Sequence, residues 1–383
     1  MVNKRKICFV ITSPIHYSRS KLILQELRKR NDVELQIVIG ASAILSNYGN
    51  VLQVMEKDGF KPNASALMTL EGGNSLAMAK TTGVGILEFT TIFDNLKPDM
   101  VVIRGDRYEI LAVAIASTFL NIPLAHIEGG DVTGNIDESI RHAVTKLAHI
   151  HFATNEESKR RILSMGENPN YVFNFGCPGV EYLEENIAPP SNKYINSVGL
   201  GSFIDLKKPY LLVMQHPVTS EVGKNRKHLE KTLMAVSSLK MQAIWFWPNI
   251  DAGTDEIAKG IRVFRENNNP KNIHFIKYLP PEKFIGLLKK TVCLVGNSSA
   301  GIKESSYFGI PVVNIGTRQN KRLKTDNVLD VDYDELEIEK AIEKQLKHGK
   351  YKKSYIYYKK GTSTKIAKTL AKIKLYVQKQ FCD

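Results

Sequence analysis

The chain has 383 residues, which suggests two domains. Hydrophobic residues make up 43%, ample for a core, yet no stretch offers the ~18 uninterrupted apolar residues of a membrane span. A net charge of +14 is compatible with nucleic acid or an acidic surface. However, the lysines are scattered and collect mainly at 344–360, with no C-x-x-C pair, RNP-like strand or helix-turn-helix pattern beside them, so neither nucleic acid nor a membrane is the expected partner.

The apolar run at 7–11 is too short for a signal peptide and reads as a first strand, so a cytoplasmic location is expected. A loop at 12–20 and a helix at 20–30 follow, then a strand at 33–40 and a loop plus helix at 41–59. Residues 73–96 carry helical periodicity, and Lys97-Pro98 stops it before a strand at 99–103. Helix 107–120, strand 122–127, helix 136–149, strand 150–154, helix 155–165 and strand 171–176 complete a first half. Residues 184–209 hold three prolines and read as the interdomain connection.

The rhythm then restarts. Strands at 210–215, 241–247, 272–276, 291–296 and 310–316 alternate with helices at 223–240, 253–267, 280–290 and 299–309. This alternation predicts an α/β fold of two Rossmann-like, doubly wound domains, 1–188 and 206–363, facing a cleft. Residues 364–383 read as an amphipathic helix that packs back on the first domain, with Ile366, Leu370, Ile373 and Val377 at helical spacing. Cys8, Cys177, Cys293 and Cys382 are far apart, lack metal spacing and read as reduced thiols.

The chemistry concentrates at 99–152. Apolar runs at 100–103 and 122–125 each lead into polar residues, and ligands in open α/β sheets sit at such carboxyl ends. Asp106 and Glu128 stand at two successive strand ends, with Asp131, Asp137 and Arg141 close behind. One such acid could equally be a helix cap; these five, with Arg107, Glu109, His126, Glu138 and His142, make ten polar residues clustered at two strand ends and point to chemistry.

No G-x-G-x-x-G follows the first strand, so a dinucleotide cofactor is not expected. The glycine-rich turn is instead 296–301 (Gly-Asn-Ser-Ser-Ala-Gly), between a strand and a helix, a setting that favours phosphate. Ser298 and Ser299 add hydroxyls there, and helix capping is their ordinary alternative. Glu304 is placed to accept from ribose hydroxyls, or serves as a first-turn helix charge. Arg318 follows the next strand as a possible phosphate contact. His216, in Gln215-His216-Pro217, ends the first strand of the second half and suits phosphate binding or proton movement.

Together, Gly105-Asp106-Arg107, the HIEGGD run at 126–131, the IDESIRHAVTKLAH run at 136–149, Gln215-His216-Pro217, the GNSSAGIKE run at 296–304 and GTRQ at 316–319 resemble the UDP-N-acetylglucosamine 2-epimerases. The resemblance is to the hydrolysing branch, which feeds sialic-acid-type sugar synthesis, and covers nearly the whole chain. It implies a glycosyltransferase-B-like fold with a closing cleft. It also implies a reaction: removal of the C2 proton, anti elimination of UDP to a 2-acetamidoglucal, and hydration to free N-acetylmannosamine.

By the same resemblance, Asp106, Glu128 and Asp137 are the acid–base candidates and His216 stabilises the departing diphosphate. Ser298, Ser299, Gly301 and Glu304 hold UDP, with Arg318 as a partner. Lys21 matches a family lysine near the nucleotide, and Asp131 and Arg141 belong to the substrate site. No metal or cofactor is expected; a homodimer or homotetramer is.

The first loop departs from the family pattern. The arginine of its Arg-Ala-Asp/Glu-Tyr segment falls on His16, and the tyrosine falls on Arg19. Either Arg19 substitutes from a neighbouring position, or the pocket reads a different sugar. UDP-N-acetylglucosamine is the first expectation. UDP-2,4-diacetamido-2,4,6-trideoxyglucose, a legionaminic-acid precursor, is the alternative, and a glycosyltransferase of the same architecture is a second function class.

Overall fold

The computed structural model describes residues 4–46, 49–185 and 187–383. Residues 47 and 48, within the loop read at 41–59, and residue 186, within the connection read at 184–209, lie outside the described residues, as do residues 1–3.

The first sheet holds β1 (Arg5–Ile11), β2 (Val33–Gly40), β3 (Ala64–Ala66), β4 (Met100–Arg104), β5 (Leu124–Ile127), β6 (Ile150–Ala153) and β7 (Val172–Asn174). All pairings are parallel, in the order β3-β2-β1-β4-β5-β6-β7. The helices are α1 (Pro14–Arg28), α2 (Val51–Lys57), α3 (Ser75–Leu96), α4 (Tyr108–Phe119), α5 (Asp137–Leu147), α6 (Glu156–Ser164) and α7 (Pro178–Glu181). Every residue of β4 and β5 is buried, as expected for strands covered on both faces by helices. The sheet therefore separates two apolar layers, one built on Phe9, Val102 and Ile127, the other on Val10, Val101 and Ile103.

The second sheet follows α8 (Asn192–Ser197) and contains β8 (Leu200–Gly201), β9 (Tyr210–Met214), β10 (Gln242–Phe246), β11 (Ile273–Ile276), β12 (Cys293–Gly296), β13 (Val312–Ile315) and β14 (Val328–Val331). Its order is β14-β13-β12-β9-β10-β11-β8, parallel except for β8, which runs antiparallel to β11. Its helices are α9 (Asn225–Ser238), α10 (Thr254–Asn268), α11 (Pro281–Leu288), α12 (Lys303–Phe308) and α13 (Glu335–His348). The chain ends with α14 (Thr362–Lys372), which packs on α1. Two doubly wound sheets are thus present, as the alternating pattern predicts.

Four local differences from the sequence reading have physical causes. Residues 14–20, read as a loop, are the first turns of α1, because Ser13 caps the helix and Pro14 presets its backbone. The stretch 192–201, read as connection, holds α8 and β8, and β8 pairs with the edge strand β11. The helix read at 299–309 is a 3-10 turn, Ser299–Gly301, followed by the separate α12. The tail helix ends at Lys372, so Val377 lies beyond it. Beyond α14 the tail stays on the first domain: Val377 O accepts from His149 Nε2 at 2.8 Å and Lys379 Nζ meets Glu167 at 2.6 Å. Ile366 and Leu370 join the core under α1.

Candidate active site

The carboxyl ends of β4 and β5 face those of β9 and β12 across a cavity of about 330 Å³. The strand order reverses between β1 and β4 in the first sheet and between β12 and β9 in the second, the usual position for a ligand. Asp106, Glu128 and Asp137 line it from the first domain; His216, Ser298, Ser299, Glu304 and Arg318 line it from the second. A larger open groove of about 600 Å³ between β14 and α13 is lined by Asp330, Glu337, Lys340 and Lys344 and gathers no comparable set of buried charges.

The turn after β4 presents Asp106 because Gly105 takes φ 86°. A side chain at Gly105 would also meet His16 Nε2 at 3.1 Å, so the position suits glycine alone. Arg141, fully buried on α5, bonds the Asp106 carboxylate and donates to Asp131 O at 2.8 Å. Glu128 ends β5 with φ 74°, a conformation rare for a side chain of this size and held by its surroundings. Arg104 Nε meets its Oε2 at 3.0 Å, Lys303 Nζ its Oε1 at 3.1 Å, and the Cys177 thiol donates to Oε1 at 3.3 Å. Asp137 opens α5, and Asn135 Nδ2 donates to its Oδ2 at 2.9 Å.

These carboxylates are tuned apart. Burial favours the neutral form of Asp106, but Arg141 and Arg322 outweigh it and hold the group well below the usual range. Burial opposes the charge of Glu128 too, and Arg104, Lys303 and Arg19 overcome it, so Glu128 is also ionised. Asp137 is pushed up to about 7, first by burial and then by the charges of Asp106 and Asp251. Arg318, 3.9 Å away, offsets this only in part. At neutral pH the first-domain wall of the cavity therefore holds two fixed carboxylates and one that carries a proton part of the time.

On the opposite wall, Gly296 has φ 123°, and a side chain there would run into Met214 O, so the sharp turn at the strand end requires glycine. Asn297 then grips the backbone of His216 from both sides, accepting from His216 N at 2.7 Å and donating to His216 O at 2.8 Å. Arg318 and Gln319 both donate to Asn297 O, at 3.1 and 2.9 Å. Ser298 caps the 3-10 turn by accepting from Ala300 N at 3.3 Å. Ser299 Oγ accepts from Arg19 at 3.4 Å, and Arg19 also pairs with Glu304. The phosphate-favouring turn and the His216 turn are thus one hydrogen-bonded unit. Burial, and then Arg318, lower the His216 imidazole to about 3, so it is neutral.

The other predicted site residues lie around this cavity. Asp131 is buried behind it, 3.2 Å from both Lys303 Nζ and Arg322 Nε. Gly301 sits beneath the turn, where a side chain would meet Val312 at 3.0 Å. Lys21 is not among the lining residues; it pairs with Asp58 at 2.6 Å and Glu282 at 3.2 Å. Four residues that the sequence reading passed over complete the site: Arg104, Asp251, Lys303 and Arg322. Lys303 sits inside a quoted motif and Arg104 immediately before one, and a cation beside a predicted acid is the signal that could have found them. Asp251, which meets Arg107 Nη1 at 2.8 Å, and Arg322 lie in polar loops that carry no such signal.

A model of the UDP-N-acetylglucosamine 2-epimerase family matches residues 25–371. A UDP-N,N'-diacetylbacillosamine 2-epimerase (hydrolysing) of Legionella pneumophila is 33% identical over 374 residues, spanning 98% of this chain and 97% of that protein. A GDP/UDP-N,N'-diacetylbacillosamine 2-epimerase (hydrolysing) of Campylobacter jejuni is 33% identical over 393 residues, spanning both chains in full (100% and 100%). The solved structure of UDP-GlcNAc 2-epimerase from Neisseria meningitidis bound to UDP-GlcNAc superposes with a TM-score of 0.76 at 20% identity, over 95% of this chain and 99% of that one.

Proposed function

The chain belongs to the UDP-N-acetylglucosamine 2-epimerase family and is a UDP-sugar 2-epimerase, and from that premise we propose that it is a hydrolysing one, releasing UDP and a free 2-epimerised sugar. We further propose UDP-2,4-diacetamido-2,4,6-trideoxyglucose, the diacetylbacillosamine nucleotide, as its preferred substrate over UDP-N-acetylglucosamine. Two observations support this choice of sugar. Two relatives at 33% identity, matched over 98% and 100% of this chain, carry that name. His16, a neutral ring, stands at the cavity wall where the family's arginine is expected, while Arg19 beside it is drawn to Glu304. Burial, followed by Arg107 and Arg104, keeps that ring uncharged, at about 3.

The single observation that carries the reaction is the split between Asp106 and Asp137 in one cavity opposite the phosphate-favouring turn. Inversion at C2 requires a proton taken from one face and another returned to the opposite face. Asp106, fixed as a carboxylate by Arg141 and Arg322, suits the base. Asp137, titrating near neutrality, suits the acid, and an incoming diphosphate raises it further. Glu128 stays ionised and stabilises positive charge developing at C1 as UDP departs. His216, Ser298, Ser299 and Arg318 receive the diphosphate, and Glu304 the ribose. Water then adds at C1 as the proton returns to C2. A glycosyl transfer would need the nucleotide side of the cleft but not this acid–base pair.

The test is to supply each UDP-sugar alone and follow it by NMR. Release of UDP and a free 2-epimerised sugar, faster with the diacetamido nucleotide, is expected. No turnover of either sugar without an added acceptor would overturn the epimerase reading.

A further inference from the structure

Resting on that reading, we propose that Lys303 is a positioning residue of the reaction: the nucleotide-side domain delivers its ammonium to Glu128 and Asp131 of the other domain, so that the acid–base set is complete only when the two domains meet. Lys303 opens α12, immediately before Glu304 and just after the 298–301 turn. Its Nζ stands 3.1 Å from Glu128 Oε1 and 3.2 Å from Asp131 Oδ2, and the residue is 3% exposed. It points away from the nucleotide side and is absent from the lining of the main cavity. It lines instead a small chamber of about 60 Å³ behind it, with Asp106, Glu128, Asp137 and Arg322.

The chemistry of burial gives this pair a direction. An ammonium withdrawn from water without partners costs several kcal/mol, and so does a carboxylate. Lys303 is tolerable here only against the first domain's acids, and those acids gain their full set of cations only with Lys303 present. The groups facing Glu128 are Arg104 from β4, Asp106 from the turn after it, His16 and Arg19 from α1, the Cys177 thiol from the turn before α7, and Lys303 from α12. Those facing Asp131 are Arg322, Lys303 and Arg141. Arg104, Arg19, Cys177 and Arg141 belong to the same domain as the acids. Lys303 and Arg322 come from the other. The 298–304 segment thus touches both tasks: its turn and Glu304 face the nucleotide, and Lys303 between them faces the acids.

The test is Lys303→Met, similar in length and uncharged, with Lys303→Arg as the conservative variant and circular dichroism to check that both fold. We expect Lys303→Met to bind UDP within a few-fold of the wild type while kcat falls on the order of tenfold or more. KM should change little. The acid limb of kcat should move to higher pH, because an acid that loses a cation takes up its proton sooner as pH falls. Lys303→Arg should restore most of kcat. Small-angle scattering adds a readout independent of turnover: UDP should compact the wild-type chain more than Lys303→Met. Unchanged kcat, pH profile and compaction would overturn the proposal. A fall in UDP affinity parallel to the fall in kcat would also overturn it, assigning Lys303 to the nucleotide turn. Failure of the wild-type chain to turn over either UDP-sugar would instead count against the epimerase reading, and the scattering comparison would still decide Lys303.

Discussion

Asn249 donates its backbone N–H to Nδ1 of His216, at 3.3 Å. That bond places the imidazole proton on Nε2, the nitrogen left to the cavity. With the ring neutral at any pH above about 3, the proposed role of His216 is that of a hydrogen-bond donor to the departing diphosphate rather than a proton carrier. His216→Ala should lower kcat on the order of 10²–10³-fold, the size of one lost transition-state donor. His216→Gln, which can still donate, should lose less. Steady-state kinetics from pH 5 to 8 should show no limb that disappears with His216; a limb near 6.5 that vanishes in His216→Gln would restore the proton-carrier role.

The pH dependence should belong to Asp137. As the acid, it works when protonated, so kcat should decline as pH rises through about 7 or somewhat higher once the diphosphate is bound. Asp137→Asn should abolish the limb and lower turnover by roughly 10²–10⁴-fold. Stability supplies a second check, falling in the same direction as activity. The folded group is pushed up to about 7, above the unfolded value near 3.9, so the folded chain binds the extra proton between them and loses stability as pH rises across that window. Asp137→Asn should therefore melt higher than the wild type at pH 8, and the difference should shrink toward pH 4. Equal melting temperatures at pH 8 would place the group near its ordinary value.

Glu304 pairs with Arg19 across the cleft, so two roles compete for one carboxylate. If it holds ribose throughout the cycle, Glu304→Ala should weaken UDP on the order of tenfold or more by calorimetry, with a smaller effect on kcat. An unchanged affinity would leave it only the pairing with Arg19.

Arg107 and Asp251 join the turn after β4 to the loop after β10 at 2.8 Å, and neither is much exposed. Arg107→Met leaves the buried Asp251 charge to Arg318, at 3.8 Å, removes the 2.7 Å partner of buried Glu109, and should favour a more open cleft. Small-angle scattering at saturating UDP should give a larger radius for Arg107→Met than for the wild type. Identical curves would confine the pair to local packing.

How much of this was legible in the sequence follows from what each signal depends on. The strands β4, β5, β9 and β12 announce themselves because both faces are covered, so all but Arg104 and His126 among their residues are apolar or nearly so. The start of α1 was hidden because Ser13 and Pro14 read equally as turn formers and as a helix cap with proline at its first position. Strand β8 has two residues and exists only through its pairing with β11, which no local pattern encodes. Asp106, Glu128 and Asp137 were visible as acids at strand ends. Their different charge states were not, because those depend on Arg322 and Lys303, more than 150 residues away in sequence. His126, a prominent member of the quoted motif, turns out to be buried support: its ring bonds Gly105 O at 2.8 Å and holds the turn that presents Asp106.

The central claim is elimination to a glucal with proton return at C2 and release of a free sugar. The most direct measurement is proton NMR of the products formed in deuterated water from UDP-2,4-diacetamido-2,4,6-trideoxyglucose. The account predicts free UDP and a free sugar with the manno configuration carrying deuterium at C2. A product that keeps protium at C2, or an epimerised sugar still joined to UDP, would contradict it.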